Sequence, residues 1–219
     1  MNKNIFSRTK YGDLVRVYDF LEYLNFGNIS KKSRDYFLGK FPFKAKNPLI
    51  AACGTGDFVV EYIRTEKPDA LTINDLSTEM LERTKQRIHD LPWDGKLSVL
   101  HGDVTMLKQS EAYDFISITY FISMFSPKPR LELLLKIKQL LRDDGLLLIA
   151  DYMKPHRFIM FPVYYINWFV VCMFFWIFSH TKPNVLGNME RTFEDADLEI
   201  VKRKYFIGGL FGAFLLRKR

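Results

Sequence analysis

From Pro48 onward, short apolar runs alternate with amphipathic stretches of helical length, and few folds accommodate that rhythm. Pro48–Ala52 reads as a fully buried strand, and Ala70–Asp75, Leu97–Leu100, Phe115–Ile118 and Leu146–Ala150 repeat the theme. Runs that are apolar on both faces need cover above and below, which a parallel sheet between two helical layers provides. One intervening helix opens at Asp57. A second starts from Ser77, with Glu79 in its first turn and Lys85 and Arg87 near its end, as the helix dipole favours. A third, from Arg130 to Leu141, carries apolar residues at 131, 134, 135, 137 and 140 and closes at Asp144-Gly145. Leu198–Arg219 reads as two strands joined as a hairpin around Gly208-Gly209. The expectation is an α/β fold: a Rossmann-like, seven-stranded, mostly parallel sheet with N-terminal helices and an apolar insertion before the closing β-hairpin.

A chain of 219 residues suits one domain. Residues 1–45 form a helical prelude: Leu14, Val15, Tyr18, Leu21, Leu24 and Phe26 recur at near-helical spacing, and Ser33–Phe41 follows a turn at Gly27-Asn28. Residues 46–152 make the ligand-binding core, 153–185 the insertion and 186–219 the closing strands. The net charge of +7 forms no run or helical stripe of the kind nucleic-acid binders carry. Lys154, His156 and Arg157 instead precede an uncharged stretch, and His180 and Lys182 follow it, which points to a membrane surface. Cys53 and Cys172 make no disulfide framework, and no His, Cys and carboxylate spacing marks a metal site. The start MNKNIFSRTKYGD lacks an apolar secretory segment, so the expected location is cytoplasmic, attached peripherally or monotopically to a membrane.

Three successive strand ends carry the candidate binding chemistry. Gly54 and Gly56 let the backbone turn sharply and approach a ligand closely. A dinucleotide fold places a third glycine where this chain has Val59, and a phosphate-binding loop needs a Lys-Ser/Thr that is absent here. The turn suits a ligand with an amino-acid moiety and an adenosine, or else is a tight connection of the kind any α/β protein contains. Asp75, at the end of the second strand, stands where a carboxylate accepts ribose hydroxyl protons. Asp103 follows the third strand and offers an acceptor for an adenine amino group, with Val104 as an apolar neighbour. Asp114 precedes the fourth strand, facing solvent or capping the turn.

LIAACGTGDF, NDLSTEML, GDVTML, YDFISITYF and LLRDDGLLLIADY, in that order, resemble the motif set of class I S-adenosylmethionine-dependent methyltransferases over residues 46–152. The ubiquinone/menaquinone C-methyltransferases are the most similar. The resemblance implies that Gly54 and Gly56 face the methionine part of the cofactor, with Ala52, Thr55, Leu76 and Met80 as further cofactor-binding positions. It gives Asp75 to the ribose, Asp103 and Val104 to the adenine, and Thr119 and Tyr120 to the transferred group. One departure is Ile50, where the family carries an acidic residue. Leu91–Asp94, Asp151-Tyr152 with Pro155-His156-Arg157, and Phe206–Leu210 are similar to rhodoquinone-biosynthesis proteins, which also lack that acid and use the cofactor as an amino donor to a quinone. Those relatives have an altered glycine turn and a His-Glu pair where this chain has Ser123-Met124. Amino transfer and a non-catalytic membrane-bound module therefore stand beside methyl transfer as alternatives.

Methyl transfer from a sulfonium needs alignment, a dry pocket and, for some acceptors, a base. Tyr120, Phe121 and Phe125 offer walls. His156, Tyr152 and Asp151 are the candidate bases near the fifth strand's end, while His89 and His101 read as structural or exposed. Phe158–Ser179 runs twenty-two residues without a formal charge and holds Trp168 and Trp176. That length suffices for a bilayer. Pro162 and Asn167 interrupt it, however, and a single crossing would strand the closing hairpin on the wrong side. A lid or hairpin dipping into one leaflet fits, as does a buried helical pair. A lipophilic, quinone-like acceptor follows.

Overall fold

The structure, a computed structural model, describes residues 28–108, 110–155, 158–162, 164–166, 169 and 188–219. Seven strands form one sheet: β1 (Pro48–Ala51), β2 (Ala70–Asp75), β3 (Lys96–His101), β4 (Tyr113–Thr119), β5 (Leu141–Tyr152), β6 (Leu198–Phe206) and β7 (Phe211–Lys218), in the spatial order β3-β2-β1-β4-β5-β7-β6. The first five pair in parallel, and β7 runs antiparallel to both its neighbours. Among the described residues five helices accompany them: α1 (Asn28–Arg34), α2 (Asp57–Glu66), α3 (Thr78–His89), α4 (Pro127–Leu140) and α5 (Met189–Asp195).

Strand alternation divides the core between the two faces. In β1, Leu49 and Ala51 join the cluster that includes Leu134 and Ile137 of α4 and Phe193 of α5. Ile50, between them, joins the opposite cluster with Phe58, Val59 and Tyr62 of α2 and Leu81 of α3. Each such side chain withdraws about 1.5–3 kcal/mol worth of apolar surface from water, which is why the fully apolar runs occupy the centre of the sheet.

Three boundaries differ from expectation. Helix α4 starts earlier, at Pro127, because Ser126 and a proline in the first turn open it, and it ends at Leu140. Strand β5 then begins at once. Leu141 pairs with Tyr113 and Leu146 with Phe115, so the exposed Arg142-Asp143-Asp144 is an irregularity within a paired strand rather than the turn that its polarity suggests. The stretch 33–41 is not a helix of its own. Helix α1 already occupies 28–34, and the chain then tightens into four-residue turns from Asp35 to Leu38 and Phe37 to Lys40. Asp114 lies inside β4 and is buried, where its carboxylate accepts from the N–H groups of Lys46 and Asn47 at 2.7 and 3.0 Å and ties the entry of β1 to β4.

The helical prelude before residue 28, Cys172, His156, Arg157, Trp168, Trp176, His180, Lys182 and most of the insertion lie outside the described residues. Among the described residues no helix is long and apolar enough to cross a membrane.

Candidate active site

Strand β1 has β2 on one side and β4 on the other, so successive connections diverge and leave a crevice at the carboxyl ends of these strands. The turn from β1 to α2 forms its floor. Ala52, Gly54 and Gly56 all have positive φ, at 49°, 56° and 83°. A Cβ on Gly56 would stand 2.7 Å from Oγ1 of Thr84, so glycine there lets α2 and α3 approach each other. A Cβ on Gly54 would meet nothing within 4 Å, so this side of the turn faces open space, where a ligand can come close. Thr84 donates to the Gly54 carbonyl at 3.0 Å and Arg87 to that of Thr55 at 2.9 Å, which anchors the turn from below. Burial, and secondarily the charge of Asp75, pushes the Cys53 thiol up to about 12, so it is no nucleophile at neutral pH.

Asp75 closes the next side. One carboxylate oxygen accepts the Gly54 N–H at 2.8 Å and the other the Ser77 N–H at 2.9 Å, an arrangement that joins the glycine turn to the start of α3. Each oxygen retains acceptor capacity for a diol. Leu76 beside it is 51% exposed, an apolar surface at the rim. Met80 is half-buried in the first turn of α3, and its N–H donates to the N-cap Ser77. Asp103 is exposed, but one oxygen already accepts from the N–H and hydroxyl of Thr105, both at 2.8 Å. The Val104 side chain is buried in the core cluster on the α4 side rather than presented at the surface. The exposed apolar neighbour here is Met106, which the sequence reading passed over. His101 is exposed and sits 3.1 Å from the Leu76 carbonyl, and His89 is exposed too.

The other wall is aromatic. Thr119 ends β4, half-buried, and Tyr120 follows with φ 53°, a conformation unusual for a bulky residue and of the kind found at functional sites. Its N–H donates to Ala150 at 2.7 Å, and its phenol donates to the Ser30 carbonyl at 2.9 Å and meets the Ser33 hydroxyl, so α1 steadies it. Tyr152 stacks at a tilt on Phe211, 4.7 Å between ring centres, with Tyr120 at 5.7 Å. Tyr164, Leu210 and Phe211 form a small buried cluster against which Tyr120, Tyr152 and Met160 pack, so the root of the insertion is seated on the ends of β4, β5 and β7. Asp151 is 1% exposed and accepts from the N–H groups of Phe121, Ser123 and Tyr152, and burial raises its pKa. Just beyond, Phe158 and Ile159 are 88% and 78% exposed. The structure thus brings Gly54, Asp75 and Leu76 together on one side and Thr119, Tyr120 and Tyr152 on the other. Ser30, Ser33 and Arg130 carried no sequence signal, since isolated serines and an arginine in an amphipathic helix are ordinary. Among the described residues no group of three His, Cys, Asp or Glu side chains suits a metal ion.

These residues fit S-adenosylmethionine: an open glycine turn, a carboxylate anchored at a strand end, and an apolar rim. Ile50, where the resemblance expects an acidic residue, lies in β1 before the turn, is buried in the core and supplies no charge.

Residues 49–145 match the family described as "Methyltransferase domain". No curated protein is recognisably similar to the chain in sequence. Its fold is shared with solved structures at low identity. The mitomycin 7-O-methyltransferase MmcR superposes with a TM-score of 0.69 at 13% identity, over 96% of this chain and 61% of its own. The cyclopropane synthase MmaA2 from Mycobacterium tuberculosis gives 0.67 at 15%, over 88% and 84%. An S-adenosylmethionine-dependent methyltransferase from Clostridium acetobutylicum gives 0.66 at 13%, over 96% and 99%. This chain spans about three fifths of MmcR and of an O-methyltransferase family protein from Burkholderia thailandensis. Residues 49–145 thus match a methyltransferase domain in sequence, and the chain as a whole shares the fold of solved methyltransferase structures.

Proposed function

We propose that this protein transfers a methyl group to a lipophilic, quinone-like acceptor at a membrane surface. The observation that carries the acceptor class is the aromatic seat of the insertion: Tyr120, Tyr152 and Phe211 line the strand ends, and the segment rooted on them exposes Phe158, Ile159, Tyr165, Ile166 and Phe169. Solvent-facing apolar side chains rooted on an aromatic seat at the strand ends suit a substrate that arrives from lipid.

The cofactor, when bound, supplies a methyl group already activated on sulfonium, so the protein's task is alignment and exclusion of water. Gly54 and Asp75 hold the amino-acid and ribose ends, and Asp103 the adenine. Thr119 and Tyr120 border the transferred group. Tyr152 and His156 are the candidates for taking a proton from an aromatic carbon or hydroxyl. Amino transfer to a quinone is the second reading, and the apolar Ile50, where the resemblance expects an acidic residue, favours it.

The experiment is calorimetric titration of the detergent-solubilised protein with S-adenosylhomocysteine, followed by incubation of S-adenosylmethionine with a prenylated hydroquinone that has one open ring carbon. Binding lost in Asp75→Ala and a product heavier by one methylene support the proposal. A product with an amino group in place of a ring hydrogen turns it to the second reading, and well-folded protein that binds no cofactor overturns both.

A further inference from the structure

The turn that follows Tyr120 is held by two buried charges from opposite sides. Asp151, at the end of β5, takes the N–H groups of Phe121 and Ser123 on one carboxylate oxygen, at 3.1 and 3.0 Å. Arg130, in the first half of α4, donates through Nε to the Ile122 carbonyl at 3.2 Å and through Nη2 to that of Phe125 at 2.7 Å. Four main-chain groups within five residues are thus committed to an anion on the donor side and a cation on the acceptor side. Both side chains are fully withdrawn from solvent. Neither group makes an ion pair within 4 Å among the described residues, and Arg130 Nη1 has no hydrogen-bond partner.

Stability gives little reason for that arrangement. A buried guanidinium with an unsatisfied nitrogen is costly, and that cost offsets much of what its two carbonyl hydrogen bonds contribute. What the two charges do achieve is definition. They fix the path of Phe121–Phe125, and with it the backbone immediately after Tyr120, whose left-handed conformation needs its surroundings to impose it. We propose that Asp151 and Arg130 are positioning residues for the transfer, clamping the Phe121–Phe125 turn so that Tyr120 and Phe121 hold the acceptor side of the crevice in register with the cofactor. The proposal rests on reading the crevice as a transfer site. It assigns to Asp151 a role other than that of a base, since its oxygens already serve main-chain donors.

The test compares wild type with Arg130→Met, Arg130→Lys and Asp151→Asn by amide hydrogen exchange, S-adenosylhomocysteine binding and methylation of the same hydroquinone. Arg130→Met is expected to fold with some loss of stability, because the Ile122 and Phe125 carbonyls lose their donor, and the peptide covering Phe121–Phe125 exchanges about tenfold faster while peptides of β1 and β7 keep their protection. Cofactor affinity stays within roughly twofold, and kcat falls by about a hundredfold with the KM for S-adenosylmethionine unchanged. Arg130→Lys, which keeps the cation, recovers part of both signals, and Asp151→Asn loosens the same peptide. Unchanged exchange in the turn, or faster exchange spread evenly over the sheet, overturns the clamp. Wild-type protein that binds cofactor but methylates nothing counts against the functional reading instead, and the exchange pattern then decides the clamp by itself.

Discussion

Gly54 and Gly56 lie two residues apart in the same turn, but their surroundings differ and so should the consequences of adding a methyl group. At Gly56 the new Cβ collides with Thr84 and φ is 83°, so Gly56→Ala is expected to cost about 3 kcal/mol of stability as α2 and α3 are forced apart. At Gly54 the Cβ enters open space, and only the backbone penalty of about 1 kcal/mol remains. On the proposed reading that methyl enters the cofactor's side of the turn, so Gly54→Ala should weaken S-adenosylhomocysteine binding roughly tenfold or more while the protein stays folded. Urea melts and calorimetry on both variants check the pair, and similar stability losses in the two would refute the distinction. At this scale the sequence was informative where spacing carries chemistry: the glycines and Asp75 meet as their positions suggested, with Asp75 bonded to the Gly54 N–H. It was uninformative where direction decides. Whether Val104 points to the core or the crevice, and that Met106 rather than Val104 is exposed, depends on a short helical turn after β3 that no periodicity announces.

Helix α3 joins the cofactor side of the crevice to the rest of the fold, and its start is well specified. The Ser77 hydroxyl accepts the Met80 N–H at 3.3 Å, and Asp75 accepts the Ser77 N–H, so one short segment both caps the helix and completes the ribose side. Ser77→Ala should cost about 1 kcal/mol by denaturant melt, with cofactor affinity reduced only to the extent that Asp75 loses its support. A loss above about 2 kcal/mol would mean that Ser77 does more than cap. Elements with a strong cap or an unbroken apolar run were legible from the sequence, and β1, β2, α2 and α3 begin where their residues indicate. Elements whose polarity and pairing disagree were not. Arg142-Asp143-Asp144 reads as a turn because it is charged, yet the flanking Leu141 and Leu146 pair with β4 and keep it within the strand. Ser33–Phe41 has a helical rhythm because Phe37 must reach the core, which a series of tight turns after α1 accomplishes equally well.

Across the whole molecule, the cofactor side and the apolar segment lie toward different parts of one crevice edge. Phe158 and Ile159 project into solvent while Met160 and Tyr164 pack on Phe211 and its neighbours. If this surface enters a membrane, replacing both exposed residues with serine removes two side chains, each worth about 1.5–3 kcal/mol of apolar transfer. Binding to vesicles containing anionic phospholipid should then fall by at least about tenfold in a flotation assay, with cofactor binding intact. Unchanged flotation would remove these residues from the contact. The parallel, helix-covered half of the sheet could be read from the sequence, because buried strands and their connecting helices impose their own pattern. The place of the last strand could not. The closing hairpin does sit at the sheet's end, but with its later strand inside: β7 lies between β5 and β6, as the pairing of Ala150 with Ala213 and of Tyr205 with Gly212 shows.

That insertion of β7 sets a timetable for synthesis. The seat for Met160 and Tyr164 is built from Leu210 and Phe211, which leave the ribosome some fifty residues after the segment they receive. Until then β5 lacks the neighbour that separates it from β6, and Met160 and Tyr164 have left the ribosome before the side chains they pack on. The order of synthesis thus leaves the root of the segment, with the exposed Phe158 and Ile159 beside it, without cover from its own sheet until the last strand arrives.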